Sequence, residues 1–441
     1  MDVQDSVTAD APQETSKEER TRVRRVATAA IVGTTVEWFD FYLYATMASI
    51  VFGKVFFPGG DSQTATLQSF ATFAVGFIAR PIGGIVFGRI GDRIGRKNML
   101  VVTFTMMGVA TTGIGLLPGY AQIGIWAPIL LVVLRVVQGM GAGAEFAGAA
   151  VVSYEHARPG RRGSQGAWPA LGLNIGVVLS SLSITLLTLN GDKFLLAGGW
   201  RIPFILSIVL VGVGVWIRQI VPETPAYEAD KEKAQEVKFV DVLRTHWRAA
   251  LVVFAIALGY SALTYIYKTF SVAYLTEFQG VGANASSTAV LIAALIAIVV
   301  IPFFGRLSDA ISSKRVNIIG GALSIALAFP FLWLLKYGHT WAIILGVGLG
   351  AGVVSPMIFA AQGSLLSRQF PTEVRSTGVG TARELGAALA GAVVPLAALG
   401  LVTSSPTNST VGVSVILVGL GVLVVIGGVF EQGRRHSTDK N

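Results

Sequence analysis

Eight ionisable side chains lie inside long apolar runs of this chain: Glu37, Asp40, Glu145 and Glu384 against Arg80, Arg135, Lys268 and Arg383. At the centre of a membrane-spanning helix each would cost about 2.5–3.5 kcal/mol, or roughly 20–28 kcal/mol together. That exceeds the ~5–15 kcal/mol net stability of a typical domain. Such residues must face a bundle interior or a wet chamber and compensate one another. Four against four leaves no formal charge. If one carboxylate takes up a proton, one basic group loses its partner and can accept an anion. Proton and anion then load together, which is the chemistry of symport.

Glu37 and Asp40 are three residues apart and share one helix face. Neighbouring carboxylates disfavour double ionisation, which makes the two the candidate proton carriers; the alternative is that both are permanently paired with arginine and only hold helices together. Arg80 lies too deep to reach an interface, and its guanidinium fork suits a carboxylate, which makes it the candidate substrate anchor, with a structural salt bridge to helix one or four as the alternative. The next residue, Pro81, frees a backbone carbonyl one turn earlier, as is tolerated beside a cavity. Tyr260, Thr264, Tyr267, Ser271 and Tyr274 recur at steps of four and three, a hydroxylated aromatic stripe that could wall a substrate site. Lys268 lies one turn after Thr264 and could face the same space. Trp38, between the two carboxylates, joins Arg80, Thr264, Tyr267, Lys268 and Ser271 as a candidate for substrate contact. A packed helix seam is the alternative for the stripe, and interfacial snorkelling the alternative for Arg383.

The elements that must hold these residues are membrane helices. Hydrophobic residues make up 53% of the 441 and charged ones 13%, with mean hydropathy +0.65. A soluble protein carries about 25% charged residues and could not bury this much apolar surface. Twelve runs long enough to cross about 30 Å of hydrocarbon follow one another. They fall near 26–52, 66–88, 98–117, 127–153, 164–189, 201–221, 249–276, 286–305, 316–337, 341–366, 377–402 and 412–430. With both termini cytoplasmic, twenty-six Lys and Arg fall inside and four outside, so the positive-inside rule sets that orientation. Residues 1–25 read as a disordered tail. Residues 26–221 form a first half, 222–248 a charged cytoplasmic linker, 249–431 a second half and 432–441 a short tail.

The halves echo each other. Gly88-Arg89-Ile90-Gly91-Asp92 returns 217 residues later as Gly305-Arg306-Leu307-Ser308-Asp309, with basic residues following in both places. A six-plus-six repeat is a mark of alternating-access carriers, whose substrate site lies at midplane between the halves. Asp92 can bond a neighbouring helix end, and Arg93, Arg96 and Lys97 can clamp loops of the same half, as a latch for one closed state. The second copy has Ala310, Ser312 and Ser313 where the first has Arg93, Gly95 and Arg96. Its latch, with Asp309 retained, is expected to be weaker. Glu145 is a further gating candidate.

The stretch Gly88-Arg-Ile-Gly-Asp-Arg-Ile-Gly-Arg-Lys97 resembles the signature loop of the major facilitator superfamily, and Leu134-Arg-Val-Val-Gln-Gly-Met-Gly-Ala-Gly143 its helix-four motif. Within it the chain is most similar to the metabolite–proton symporters, the group of shikimate, oxoglutarate, citrate and proline/betaine carriers. The pieces are Glu37-Trp-Phe-Asp-Phe41, Arg80-Pro-Ile-Gly-Gly84, Glu145, Trp200-Arg-Ile-Pro-Phe204, Pro222-Glu-Thr-Pro225 and Phe370-Pro-Thr-Glu-Val-Arg-Ser-Thr-Gly378. The resemblance implies an all-α membrane protein of twelve transmembrane helices in two pseudo-symmetric six-helix halves. It also implies a helix-one acid, Asp40, as the preferred proton carrier, paired with the helix-four arginine, Arg135. The sequence departs from the group at Arg383-Glu384, a place usually held by uncharged residues, and at Lys268.

Several other functions are excluded. Without cysteine there is no thiolate chemistry or disulfide. None of the four histidines is mid-span and there is no Walker A sequence, so neither a histidine metal site nor ATP is expected. Gly139-Met-Gly141-Ala-Gly143 follows no strand and reads as helix packing, not a dinucleotide loop. The basic surplus faces anionic lipid, not nucleic acid. The expectation is a multi-pass cell-membrane carrier, monomeric and without cofactor or enzymatic activity. It would import a mono- or dicarboxylate with protons. A zwitterionic osmolyte is the alternative cargo, and an uncoupled channel the alternative mechanism.

Overall fold

The computed structural model describes residues 16–59, 61–94, 96–143, 153–154, 157–158, 160–220, 244–371 and 374–431. Among them run twelve long helical segments. In the first half these are α1 (Ser16–Met47, continued through a π-turn Ala48–Phe52 to Phe56), α2 (Ser62–Ile94), α3 (Arg96–Leu116), α4 (Trp126–Gly143), α5 (Trp168–Thr188) and α6 (Arg201–Ile220). In the second they are α7 (Trp247–Tyr265, a π-turn Ile266–Phe270, then Ser271–Glu277), α8 (Ala283–Ile311), α9 (Ser313–Tyr337), α10 (Thr340–Val347, a π-turn Gly348–Val354, then Ser355–Ser367), α11 (Arg375–Thr403) and α12 (Val411–Val429). Each overlaps one of the twelve apolar runs. The main difference is at the start: α1 begins at Ser16, ten residues before its apolar run. The intervening Lys, Glu and Arg are good helix formers and extend the helix past the hydrocarbon length.

The packing repeats with an offset of six helices. In the first half α1 lies on α5, α2 on α4 and α3 on α6. In the second, α7 lies on α11, α8 on α10 and α9 on α12. The halves meet along two long seams, α2 with α11 and α5 with α8. This is the twelve-helix, two-half architecture expected from the sequence. Among the described residues eight helices are long and apolar enough by composition to cross a membrane, and Val101–Leu116 and Arg201–Trp216 are shorter apolar stretches. Polarity is inverted relative to a soluble protein: Val299, Phe303, Trp216, Trp333 and Trp341 are exposed outward while Glu37, Asp40, Arg80 and Arg135 are buried. That is the arrangement a hydrocarbon solvent demands.

Small residues let the helices that carry the charges approach closely. A Cβ on Gly83 would collide with the Met140 carbonyl oxygen, and one on Gly143 with that of Arg80. Only glycine fits this α2–α4 seam, which sets the height and direction of Arg80. The α8–α9 turn has a different signature. Ser312 adopts φ 94°, ψ 143°, a region suited to glycine, while its hydroxyl accepts the Arg315 N–H at 3.4 Å.

Candidate functional site

Four charged side chains form one buried network across the α2–α11 seam. Arg80 donates from Nη2 to Glu37 Oε1 at 2.7 Å and from Nε to Glu384 Oε2 at 3.0 Å. Glu384 uses its other oxygen to accept from Arg383 Nη1 at 3.1 Å. Three helices, α1, α2 and α11, thus meet on two carboxylates and two guanidiniums whose charges cancel. Burial in so apolar a setting is tolerable only with this pairing. Arg383 is buried within 5.9 Å of the Phe359 ring, so it does not snorkel to an interface. The sequence marks Glu384 only as a departure from its group; the structure makes it a partner of Arg80.

The direct Asp40–Arg135 ion pair implied by the resemblance is not what the structure contains. Arg135 donates from Nη1 to Gln138 Oε1 at 2.6 Å. Gln138 Nε2 reaches the Thr111 hydroxyl at 2.7 Å, and Thr111 lies 2.8 Å from Asp40 Oδ2. The two charges communicate through an amide and a hydroxyl from α4 and α3. The reason is steric and electronic. The guanidinium carbon sits 4.1 Å from the Tyr44 ring centroid, 4.6 Å from Phe41 and 5.1 Å from Phe73. This aromatic cage draws Arg135 off the carboxylate. A Cβ on Gly76 would collide with Arg135 Nε, so the cage closes on its fourth side against a glycine.

The π-turn in α7 splits its polar residues between two directions. Tyr267 bonds Ser324 of α9 at 2.9 Å and packs edge-on to Phe331, while Thr264 bonds Ser355 of α10 at 2.6 Å. The Ser271 hydroxyl donates to its own helix backbone, at the Ile266 and Tyr267 carbonyls. Tyr260 stacks on Phe359 at 4.6 Å, and Tyr274 stacks between Phe270 and Phe278. The stripe therefore faces the interior of its own half. Lys268 points the other way, into the first half. Its Nζ reaches Asn174 Oδ1 of α5 at 3.3 Å and lies 5.1 Å from the Tyr42 ring centroid of α1. Trp38 is buried in an aromatic cluster with Phe41 and Tyr42. Extra backbone in the π-turn breaks the i, i+4 register on which the sequence pattern rests.

Both ends of the bundle are bridged between halves. At the end carrying the basic loops, Asp309 accepts from the backbone N–H groups of Gly163 at 2.6 Å and Ser164 at 3.1 Å, at the entrance to α5. The second loop copy thus bonds across the halves despite its lost basic residues, where the sequence suggests a weaker latch. The side chains of Asp92, Arg93, Arg96 and Lys97 and the whole of Glu145 lie outside the described residues. At the opposite end, the Ser62 hydroxyl donates to Glu277, and Asn284 Nδ2 donates to Thr188 Oγ1 at 3.1 Å. Between the halves, near the basic end, a cavity of about 10 Å³ is lined by Pro169, Phe359, Gln362, Ser367 and Arg383 among others. That is room for about one water. Among the described residues the halves are thus in contact at both ends, with the charged network between them.

Asn174, Tyr42, Gln138 and Thr111 are site residues that sequence reasoning misses. Gln138 carries a signal, being three residues after Arg135 on the same helix face. Asn174 carries another, as a lone amide in an otherwise apolar span.

Comparison with known proteins agrees with this architecture. The Major Facilitator Superfamily profile matches residues 30–395. The chain is 38% identical over 422 residues to the inner membrane metabolite transport protein YhjE of Escherichia coli K12, covering 94% of this chain and 95% of that one. It is 34% identical over 387 residues to the shikimate transporter of the same strain, covering 87% and 88%. It is also 34% identical over 397 residues to a proline/betaine transporter of Salmonella typhimurium LT2, covering 87% and 79%. Among solved structures, a partially occluded inward-open form of the xylose transporter XylE from Escherichia coli superposes with TM-score 0.69 at 16% identity, covering 96% and 100%. That likeness is one of fold. With twelve helices in two equivalent halves and charges gathered where they meet, the chain belongs to the major facilitator superfamily and is a multi-pass membrane transporter, not an enzyme.

Proposed function

We propose that this protein is a proton-coupled symporter importing a small organic anion by alternating access, with both termini on the cytoplasmic side of the cell membrane. The observation that carries the reading is that Glu37 and Glu384 share the single guanidinium of Arg80. A proton on either carboxylate weakens one arm of this network and leaves it with a surplus positive charge. An anion arriving from the same side restores neutrality. Loaded and empty forms then carry the same net charge, so both can reorient through the low-dielectric interior at similar cost. Asp40, linked to Arg135 through Gln138 and Thr111, is a second place for the proton. Relatives named for shikimate and for proline and betaine support a small carboxylate-bearing metabolite as cargo.

The test is uptake into proteoliposomes across a panel of carboxylates and zwitterionic osmolytes under an imposed pH gradient. Anion accumulation should follow the gradient and collapse with a protonophore. Saturable uptake indifferent to the gradient would remove the symport reading. Preference for betaine or proline over every anion would transfer the reading to an osmolyte carrier.

A further inference from the structure

Of the charges in the core, Lys268 has no carboxylate partner among the described residues. Of the eight charges in the spans, the described residues include Glu37, Asp40, Glu384, Arg80, Arg135, Arg383 and Lys268, all buried, while Glu145 lies outside them. Glu37 and Glu384 balance Arg80 and Arg383 by direct contact, and Asp40 is linked to Arg135 by the relay. Lys268 is left with the Asn174 carbonyl oxygen at 3.3 Å and the face of Tyr42. No described carboxylate lies within 4.0 Å of it. An ammonium offers three donors, and one long contact to a neutral oxygen satisfies one of them. An unpaired buried charge is strongly destabilising unless something else uses it.

A second, independent orphan lies beside it. The Tyr42 hydroxyl is buried and has no hydrogen-bond partner among the described residues. A hydroxyl without a described partner and an ammonium with one neutral acceptor, the Asn174 amide of α5, are thus presented by α1 and α7 from opposite halves. A carboxylate is the ligand that fits: it is acceptor-only, carries the missing charge and has enough lone pairs for both donors.

Taking the symport reading as its basis, the geometry points to Lys268, Tyr42 and Asn174 as the subsite that seats the carboxylate of the transported anion. Arg80 is then the group that responds to the proton and not the first anchor. Helices from both halves contribute, so an anion seated there draws α1 and α5 toward α7 and favours the closed form. A carboxylate seated there supplies the counter-charge that the described neighbours of Lys268 do not.

The experiment uses the full-length protein in nanodiscs, with shikimate, 2-oxoglutarate, citrate, benzoate and glycine betaine as probes by equilibrium binding, and the same panel in proteoliposome uptake. For the tightest-binding carboxylate, Lys268→Gln is expected to raise Kd at least tenfold and Lys268→Arg to restore it to within about threefold. Tyr42→Phe, which keeps the ring and removes the hydroxyl, is expected to raise Kd three- to tenfold. Removing an unpaired buried cation should not impair folding, and a rise in Tm of the Lys268→Gln protein checks this. Unchanged carboxylate affinity in both Lys268→Gln and Tyr42→Phe overturns the subsite, as does wild-type binding of glycine betaine in preference to every carboxylate. Lys268-dependent carboxylate binding without gradient-driven uptake would uphold the subsite and overturn the symport reading instead.

Discussion

At the scale of single residues, the network around Arg80 makes charge changes non-additive. Arg80→Gln leaves Glu37 and Glu384 buried without their shared cation, and breaking a buried pair from one side costs about 3–5 kcal/mol. Folding is therefore not indifferent to this substitution, whatever its effect on transport. Adding Glu37→Gln to Arg80→Gln should recover part of the lost stability, since it removes the carboxylate that has lost Arg80 while Glu384 keeps Arg383. Melting curves of the two variants in detergent, with the double variant no more stable than the single, would contradict the network. A separate residue-scale expectation concerns the cage of Arg135. Gly76→Ala forces the guanidinium off Tyr44 and Phe41, and should lower stability by about 1–3 kcal/mol through overpacking. Gly212, where an added Cβ would meet no heavy atom within 4 Å, is the matched control, and Gly212→Ala should leave Tm unchanged or slightly raised.

Elements respond at their ends and seams. Ser312 holds φ 94° at the head of α9, where a residue with a side chain is strained by about 1–3 kcal/mol. Ser312→Gly relieves this and loses a long cap contact worth a few tenths of a kcal/mol. The net expectation is a gain of about 1 kcal/mol, read as a raised Tm; a fall would mean that the cap dominates. At the head of α2, Asp61 accepts the Thr64 backbone N–H at 2.7 Å, and that bond holds its carboxyl below the ordinary carboxylate value. A group with a lowered native value stabilises the fold above its unfolded pKa and loses that contribution as pH falls through the native one. Asp61→Ala should thus lower Tm modestly at about pH 7, and the difference from wild type should shrink toward about pH 3. A difference independent of pH would place the effect elsewhere.

For the whole molecule, the question is which end opens. Asp309 ties α8 to the entrance of α5 at the basic end, and Ser62, Glu277, Asn284 and Thr188 tie the halves at the other. Removing one set shifts the population toward the form open at that end. Because the chain has no cysteine, Ser367→Cys, which lines the cavity near the basic end, gives one labelling site without background. Asp309→Ala is expected to raise its rate of reaction with a small maleimide about five- to tenfold. Equal rates with and without Asp309 would show that this contact does not hold the gate.

The amino-acid sequence by itself determined the class, the number of helices and the identity of the charges, because apolar run length against bilayer thickness is a one-dimensional property. Charge counting along the loops likewise set an expected orientation, and the two copies of the Gly-Arg-x-x-Asp loop announced two halves. What it could not carry was partnership. Glu384 lies 304 residues from Arg80, and only the α2–α11 seam brings them to 3.0 Å. Asp40 and Arg135 share a neighbourhood, yet three aromatic rings and Gln138 decide that they do not touch. In α7 a single π-turn sends Thr264 and Tyr267 into their own half and Lys268 into the other, a rotation invisible to a 3.6-residue period. Local chemistry follows from the order of residues; which buried charge meets which is settled only when twelve helices pack and every ion in hydrocarbon must find its counterpart.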